Sequence, residues 1–222
     1  VVGGLVGDLT HWRVAYGIGG ILGLALLFLR VGVAESNLFA KAKETAKNRG
    51  NILVLFQSRK IFLKYLYCIL IGVPIWYVVG VLITFSPEFA REMNMSETVK
   101  AGHAVMWSYL GLSIGDLASG LLSQFFKSRI KSVFVFLILS VMVCALYLTL
   151  EAPSRAQFYF VCSLLGFSAG YWAVFVTIGA EQFGTNLRAT VATTVPNFVR
   201  GSVIPVTSLF ELMQGRVGII SS

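Results

Sequence analysis

Apolar residues in this chain come in long runs rather than in alternation with polar ones. Runs of roughly 18 or more match the length a helix needs to cross about 30 Å of hydrocarbon. They occupy residues 12–33, 61–85, 101–126, 133–150, 157–180 and 189–213, separated by short polar or charged stretches. Residues 1–7 read as the tail of a preceding helix, closed by a polar turn at 8–11. Pro196, Gly201 and Pro205 interrupt the last run. Between the first two spans lies a basic stretch, residues 34–60. Its first part is a good helix former with Ser36 as the candidate cap, and its second part, residues 51–56, is apolar enough to lie along a membrane surface.

Composition agrees with the pattern. Of 222 residues, 56% are hydrophobic and 13% charged, with a mean hydropathy of +0.79. Soluble domains carry about 25% charge, and a soluble chain could not cover this much apolar surface. The net charge of +8 points to basic loops rather than to nucleic acid, because no basic patch with aromatic stacking positions lies outside the apolar runs. Cys68, Cys144 and Cys162 all fall inside those runs, and His11 and His103 are the two histidines. Neither a disulfide framework nor a metal site is expected, and no cofactor is implied. The His, Asp or Cys clusters of an integral-membrane enzyme are missing, so no enzymatic role is expected. The chain opens without Met or a charged signal region and ends in an apolar run, which reads as a segment of a longer protein.

Loop charge orients the spans. Arg30, Lys41, Lys43, Lys47, Arg49, Arg59, Lys60, Lys64, Lys127, Arg129, Lys131 and Arg188 fall on one side; Arg13, Arg91, Lys100, Arg155 and Arg216 fall on the other. Residues 34–60 and the turns at 127–132 and 181–188 are therefore expected in the cytoplasm, with a mixed-charge loop at 88–100 outside.

Three segments carry a family resemblance. Trp12-Arg13-Val14-Ala15-Tyr16 opens a Gly-rich span ending at Leu29-Arg30, followed by Glu35-Ser36. Gly120-Leu121-Leu122-Ser123-Gln124-Phe125-Phe126-Lys127-Ser128-Arg129 is similar to a decayed G-x-x-x-D-R-x-G-R-R turn, with Gln124, Phe125 and Lys127 as the departures. Glu181-Gln182-Phe183-Gly184-Thr185-Asn186-Leu187-Arg188 is similar to an acidic and arginine-containing turn. In order and sidedness these resemble the major facilitator superfamily, from its sixth helix through the central cytoplasmic loop to its eleventh. The resemblance implies an all-α fold, a polytopic membrane helix bundle forming part of a major-facilitator-type fold. Residues 1–33 would end the N-terminal half, residues 34–60 would be the linker, and residues 61–222 would be the C-terminal half without its last helix.

The function implied is secondary active transport of a small polar solute (a sugar, an organic anion or a zwitterion) by alternating access. Coupling would be to a proton or cation, and the setting a bacterial inner, plasma-membrane lipid bilayer. An exporter of toxic compounds and a non-transporting sensor on the same fold are the alternatives. Partners would be the solute, the lipid, a coupling ion and the remaining helices of the same chain.

Two ionisable residues lie deep in spans. Asp116 is roughly 12 Å above Gln124, and Arg200 roughly 18 Å beyond Arg188, at 1.5 Å per residue. Such charges face a cavity or a partner. Asp116 is a candidate coupling acid, or a static partner of Arg200 or of a charge elsewhere. Arg200, with Asn197 on the same helical face, suits an anionic or zwitterionic solute or an ion pair, and a cationic-drug exporter would favour acids there. Trp76 with Tyr77 and Tyr171 with Trp172 fall near mid-span, for solute stacking or for packing. Gly72, Pro74, Gly80, Gly166 and Gly170 serve bending or close helix contact. The resemblance implies a cytoplasmic gate drawn from Gly120, Lys127, Arg129, Glu181 and Arg188, with Glu181 and Arg188 together; plain positive-inside placement also accounts for the basic members.

Overall fold

A computed structural model describes residues 12–30 and 52–217. The expectations for residues 1–11 and 31–51, including most of the linker, lie outside the described residues. Among those described, the chain is helical without strands. Five segments are long and apolar enough to cross a membrane: Arg13–Arg30, Arg59–Ile83, Ala101–Phe125, Arg129–Leu148 and Arg155–Glu181.

Helix α1 (Trp12–Arg30) is exposed along residues 21–30, and a Cβ placed on Gly17, Gly19, Gly20 or Gly23 would meet nothing within 4 Å. An apolar helix left bare all round belongs in lipid or against other helices. After a 3-10 turn at Ile52–Phe56, whose Leu55 is buried, α2 (Arg59–Tyr77) begins. It contains Pro74, which removes a donor and crowds the preceding turn, and it widens into a π turn at Val78–Ile83. Carbonyls that lose their regular partners in a wide turn need others inside a membrane. Thr84 Oγ1 donates to Val79 O at 2.9 Å, and the fully buried Tyr147 hydroxyl donates to Leu82 O at 3.1 Å.

The expected loop at 88–100 is in part helix, α3 (Ser86–Glu92), because Pro87 near its start presets the helical φ. Helices α4 (Ala101–Phe125) and α5 (Arg129–Leu148) are joined by a tight turn in which Lys127 has φ 49°. Helix α5 therefore starts at Arg129, earlier than the expected 133. Ser128 caps it, its Oγ accepting from the Lys131 amide, so two of the turn's basic residues belong to the helix.

The run at 157–180 is two helices rather than one. Helix α6 (Arg155–Ser168), opened by a Ser154–Gln157 capping box, and α7 (Trp172–Glu181) are separated at Ala169-Gly170-Tyr171. The run at 189–213 is likewise α8 (Thr185–Gly201) and α9 (Val203–Val217), broken at Ser202. Neither α8 nor α9 is among the five apolar spans. Thr190, Thr193, Thr194, Asn197 and Arg200 make α8 polar, and Pro205 cannot continue the hydrogen-bond ladder across the break.

Helices α4 and α6 form the tightest seam. A Cβ on Gly111 would collide with the carbonyl of Ser163, one on Gly115 with that of Phe167, and one on Gly166 with that of Ser108. A Cβ on Gly170 would lie 2.5 Å from the Cα of Gly115. Backbones come this close because a glycine stands on one side of each contact, and on both at Gly115–Gly170, the small-residue packing that replaces a hydrophobic driving force in lipid. For Gly166 and Gly170 the alternatives of bending or close contact thus narrow to close contact, with the break falling at Gly170. Elsewhere the core is aromatic: Phe89, Tyr147, Phe158 and Phe210 stack in a chain with ring centroids 5.5–5.8 Å apart.

Candidate functional site

The break between α6 and α7 leaves the first amides of α7 without intrahelical acceptors, a costly arrangement away from water. Tyr171 precedes α7 and gives no side-chain cap. Asp116, from the middle of α4, supplies the acceptor instead: its Oδ1 takes a hydrogen bond from the Ala173 N–H at 3.2 Å. The glycine seam makes this possible, since Gly115 and Gly170 touch backbone to backbone one residue from Asp116 and from Tyr171. A carboxylate at a helix N-terminus is favourable on both hydrogen-bond and dipole grounds.

Arg200 approaches the same point from α8. Its guanidinium carbon lies 5.3 Å from the centre of the Trp172 ring. Trp76 meets that ring edge-on, centroids 6.3 Å apart at 77°, and Phe175 lies 5.5 Å away. Asp116, Trp172, Trp76 and Arg200 are thus gathered at one break. The static Asp116–Arg200 pair is not formed; among the described residues neither makes an ion pair. Asn197 is exposed one turn before Arg200, lining an open hollow of about 530 Å³ with Thr194, Phe198, Gly201 and Ser202. Arg200 leans to Trp172 rather than lining that hollow.

Tyr171 is not available to a solute. It is fully buried, and its hydroxyl donates to Ile71 O at 3.0 Å, one turn before Pro74. Tyr77 ends α2 half-buried and joins none of these groups.

The basic end of the bundle holds the second cluster. Arg129 at the start of α5 forms an ion pair with Glu181 at the end of α7. Glu181 is thereby joined to Arg129 and not to Arg188, which is exposed on α8. Arg129 and Glu181, both members of the expected cluster, are brought together, whereas Arg188 lies beyond the turn on α8. Lys127 and Arg129 line a hollow of about 460 Å³ with Ser123, Gln124, Glu181 and Gln182. Gly120 borders open space.

A family model described as Major Facilitator Superfamily matches residues 1–206. The chain belongs to the Major Facilitator Superfamily. Its apolar spans are accordingly those of an integral, multi-pass membrane protein of a transporter family, and its all-α bundle is part of that superfamily's fold. No curated protein and no solved structure matches the chain.

Within this superfamily bundle, further residues tie the helices together without a signature in the apolar pattern. Tyr65 donates to Thr194 Oγ1 at 2.7 Å and ties α2 to α8, and Lys64 donates to Gln182 O at 2.8 Å. Gly111 and Gly115 were legible in principle, because their spacing repeats that of Gly166 and Gly170 and small residues at that interval mark helix contacts.

Proposed function

We propose that this chain supplies helices six to eleven of a secondary active transporter in a bacterial inner membrane. In this register residues 34–60 form the cytoplasmic linker between the two halves. The transporter carries a small polar solute by alternating access, coupled to a proton or cation. The convergence of Asp116 and Arg200 on the α6–α7 break is the observation that carries the reading. Ionisable groups at membrane depth are expensive and are retained where they handle solute or ion. Broken helices whose amide ends face a midplane site recur in transporters for the same reason.

A coupling role for Asp116 follows from what it holds. As a carboxylate it accepts the Ala173 amide and complements the α7 dipole. Protonation removes the charge and weakens that cap, so the start of α7 is freed to shift against α4. Proton occupancy is thereby linked to the position of a pathway helix. On the cytoplasmic side, the Arg129–Glu181 pair ties α5 to α7 and would open and close with the gate.

In the full-length transporter reconstituted in liposomes, Asp116→Asn keeps the amide acceptor and the volume but cannot titrate. Uptake driven by a pH gradient is expected to be lost, while solute counterflow, which needs no net proton movement, continues. Gradient-driven uptake that survives the substitution removes Asp116 from the coupling step.

A further inference from the structure

We infer that the basic end of the bundle binds an anionic phospholipid. One acyl chain lies in a groove between α2, α5 and α7, and the headgroup lies in the adjoining charged hollow, with Lys64 at the junction. Such a site depends on the membrane setting alone and is independent of the solute carried. The groove holds about 410 Å³, with Tyr67, Cys68 and Ile71 of α2 on one wall and Val133, Phe134 and Leu137 of α5 on the other. Members of each trio are spaced by one, three or four residues, which keeps them on one helical face. Tyr67 and Phe134 are exposed at the rim, and the buried Ile178 of α7 closes the bottom. Apart from the Tyr67 hydroxyl, the polar members are Lys64 and Gln182, and Lys64 Nζ donates to Gln182 O at 2.8 Å.

That end of the groove adjoins the 460 Å³ hollow around Lys127 and Arg129, since the two share Ile130, Ile178 and Gln182. Together they have the polarity order of a phospholipid, chain first and headgroup beyond. Depth agrees with this. Arg129 is the first residue of its span, and Lys64 lies five residues inside the span that begins at Arg59, about 7–8 Å at 1.5 Å per residue. A lysine at that depth reaches headgroup level by extending its stem. Three cations, Lys64, Lys127 and Arg129, line the combined site against one acid, Glu181, which Arg129 already engages. Two positive charges are left. The Lys127 side chain makes no hydrogen bond or ion pair among the described residues, and Lys64 keeps two of its three donors after bonding Gln182 O.

The dimensions of the groove favour a lipid chain over a helix. It runs past α2 from Lys64 to Ile71, about 10 Å, so its volume leaves a cross-section of about 40 Å². An α-helix is 10–12 Å across with its side chains and needs about 80 Å² or more. An acyl chain is a single file of methylenes and enters where a helix does not. Charge then selects the headgroup. A zwitterionic lipid fills the groove equally well but brings no net charge to the two free cations, whereas an anionic one does.

The test is native mass spectrometry of the purified full-length protein, titrated with phosphatidylglycerol and with phosphatidylcholine of identical chains. Glycerol 3-phosphate serves as the headgroup without chains. Phosphatidylglycerol should bind about 25-fold more tightly than phosphatidylcholine, about fivefold for each free cation. Lys64→Gln keeps a donor for Gln182 O and removes the charge, so it should lose about fivefold for phosphatidylglycerol and nothing for phosphatidylcholine. Arg59→Gln, on another face of α2 and in neither hollow, should change binding by less than about twofold. Leu137→Trp fills the groove and should weaken both lipids; if size exclusion shows that it does not fold, Tyr67→Trp at the exposed rim takes its place. Equal binding of the two lipids overturns the inference, and so does a groove-filling variant that binds both as the wild type does. An Arg59→Gln loss as large as that of Lys64→Gln would mean surface potential without a site. Displacement of the lipid by glycerol 3-phosphate would mean a small-anion site, and failure to bind either lipid would mean that another segment of the chain covers the groove; each overturns the inference.

Discussion

The two halves of α4 are packed in opposite ways. Toward its N-terminus, Gly111 and Gly115 lie against α6 so closely that no side chain fits on either strip. Beyond Asp116, Gly120 meets nothing within 4 Å, and Leu121 and Phe125 are 66% and 81% exposed. One half is fixed by backbone contact; the other is tied to α5 where Ser132 Oγ donates to Ser119 O at 2.8 Å and otherwise leaves large apolar side chains exposed. Asp116 lies where the two regimes meet.

Breaking the fixed half has the largest expected effect. Gly166→Ala puts a methyl group into the Ser108 carbonyl, and main chain inside a helix cannot move aside as a flexible side chain can. Overpacking typically costs 1–3 kcal/mol, and about 3 kcal/mol or more is expected here because the obstacle is backbone. Thermal unfolding in detergent should show a large drop or no monodisperse protein at all. Wild-type behaviour would mean that the α4–α6 seam is looser than its geometry requires.

That seam was only partly readable from the residues. The spans were legible because about 30 Å of hydrocarbon demands long apolar runs, and nothing else writes such runs into a chain. The breaks were not. Ala169-Gly170-Tyr171 sits inside an apolar run, and hydropathy is blind to the Asp116 carboxylate that arrives from another helix to satisfy the freed amide. The start of α5 was missed for a related reason: Arg129 and Lys131 look like turn residues until Ser128 is seen to cap the helix they open. At the site, Asp116 and Arg200 stood out because charge in a span is costly, but their shared target, Trp172, is a fact of tertiary contact. Glu181 and Arg129 were both legible as members of one charged cluster, but which basic residue pairs with Glu181 was not, because that depends on how α5 and α7 pack.

At the free half's end, the Arg129–Glu181 pair gives a smaller prediction. Its side chains are 39% and 50% exposed, so solvent and salt screen it. Exposed pairs contribute about 0–1 kcal/mol. A double-mutant cycle with Arg129→Ala and Glu181→Ala should return a coupling of that size that shrinks as ionic strength rises. Reversing both charges should restore most of the stability lost with either reversal alone. A coupling well above that range, insensitive to salt, would mean that the pair is closed off from water and that this end is as fixed as the glycine seam.

The smallest effect, and the most telling in sign, belongs to Gly120→Ala. In an exposed helix interior Ala is favoured over Gly by about 0.5–1 kcal/mol, because glycine loses more backbone freedom on folding. Nothing within 4 Å opposes a Cβ at Gly120. The substitution should therefore raise thermal stability slightly, opposite to Gly166→Ala on the neighbouring helix. Both are glycines in apolar helices, and only the surrounding contacts separate their outcomes. Measured in the full-length transporter, a loss at Gly120 would reveal another helix packed against it, and the free half of α4 would then be a second seam that closes between halves rather than within this one.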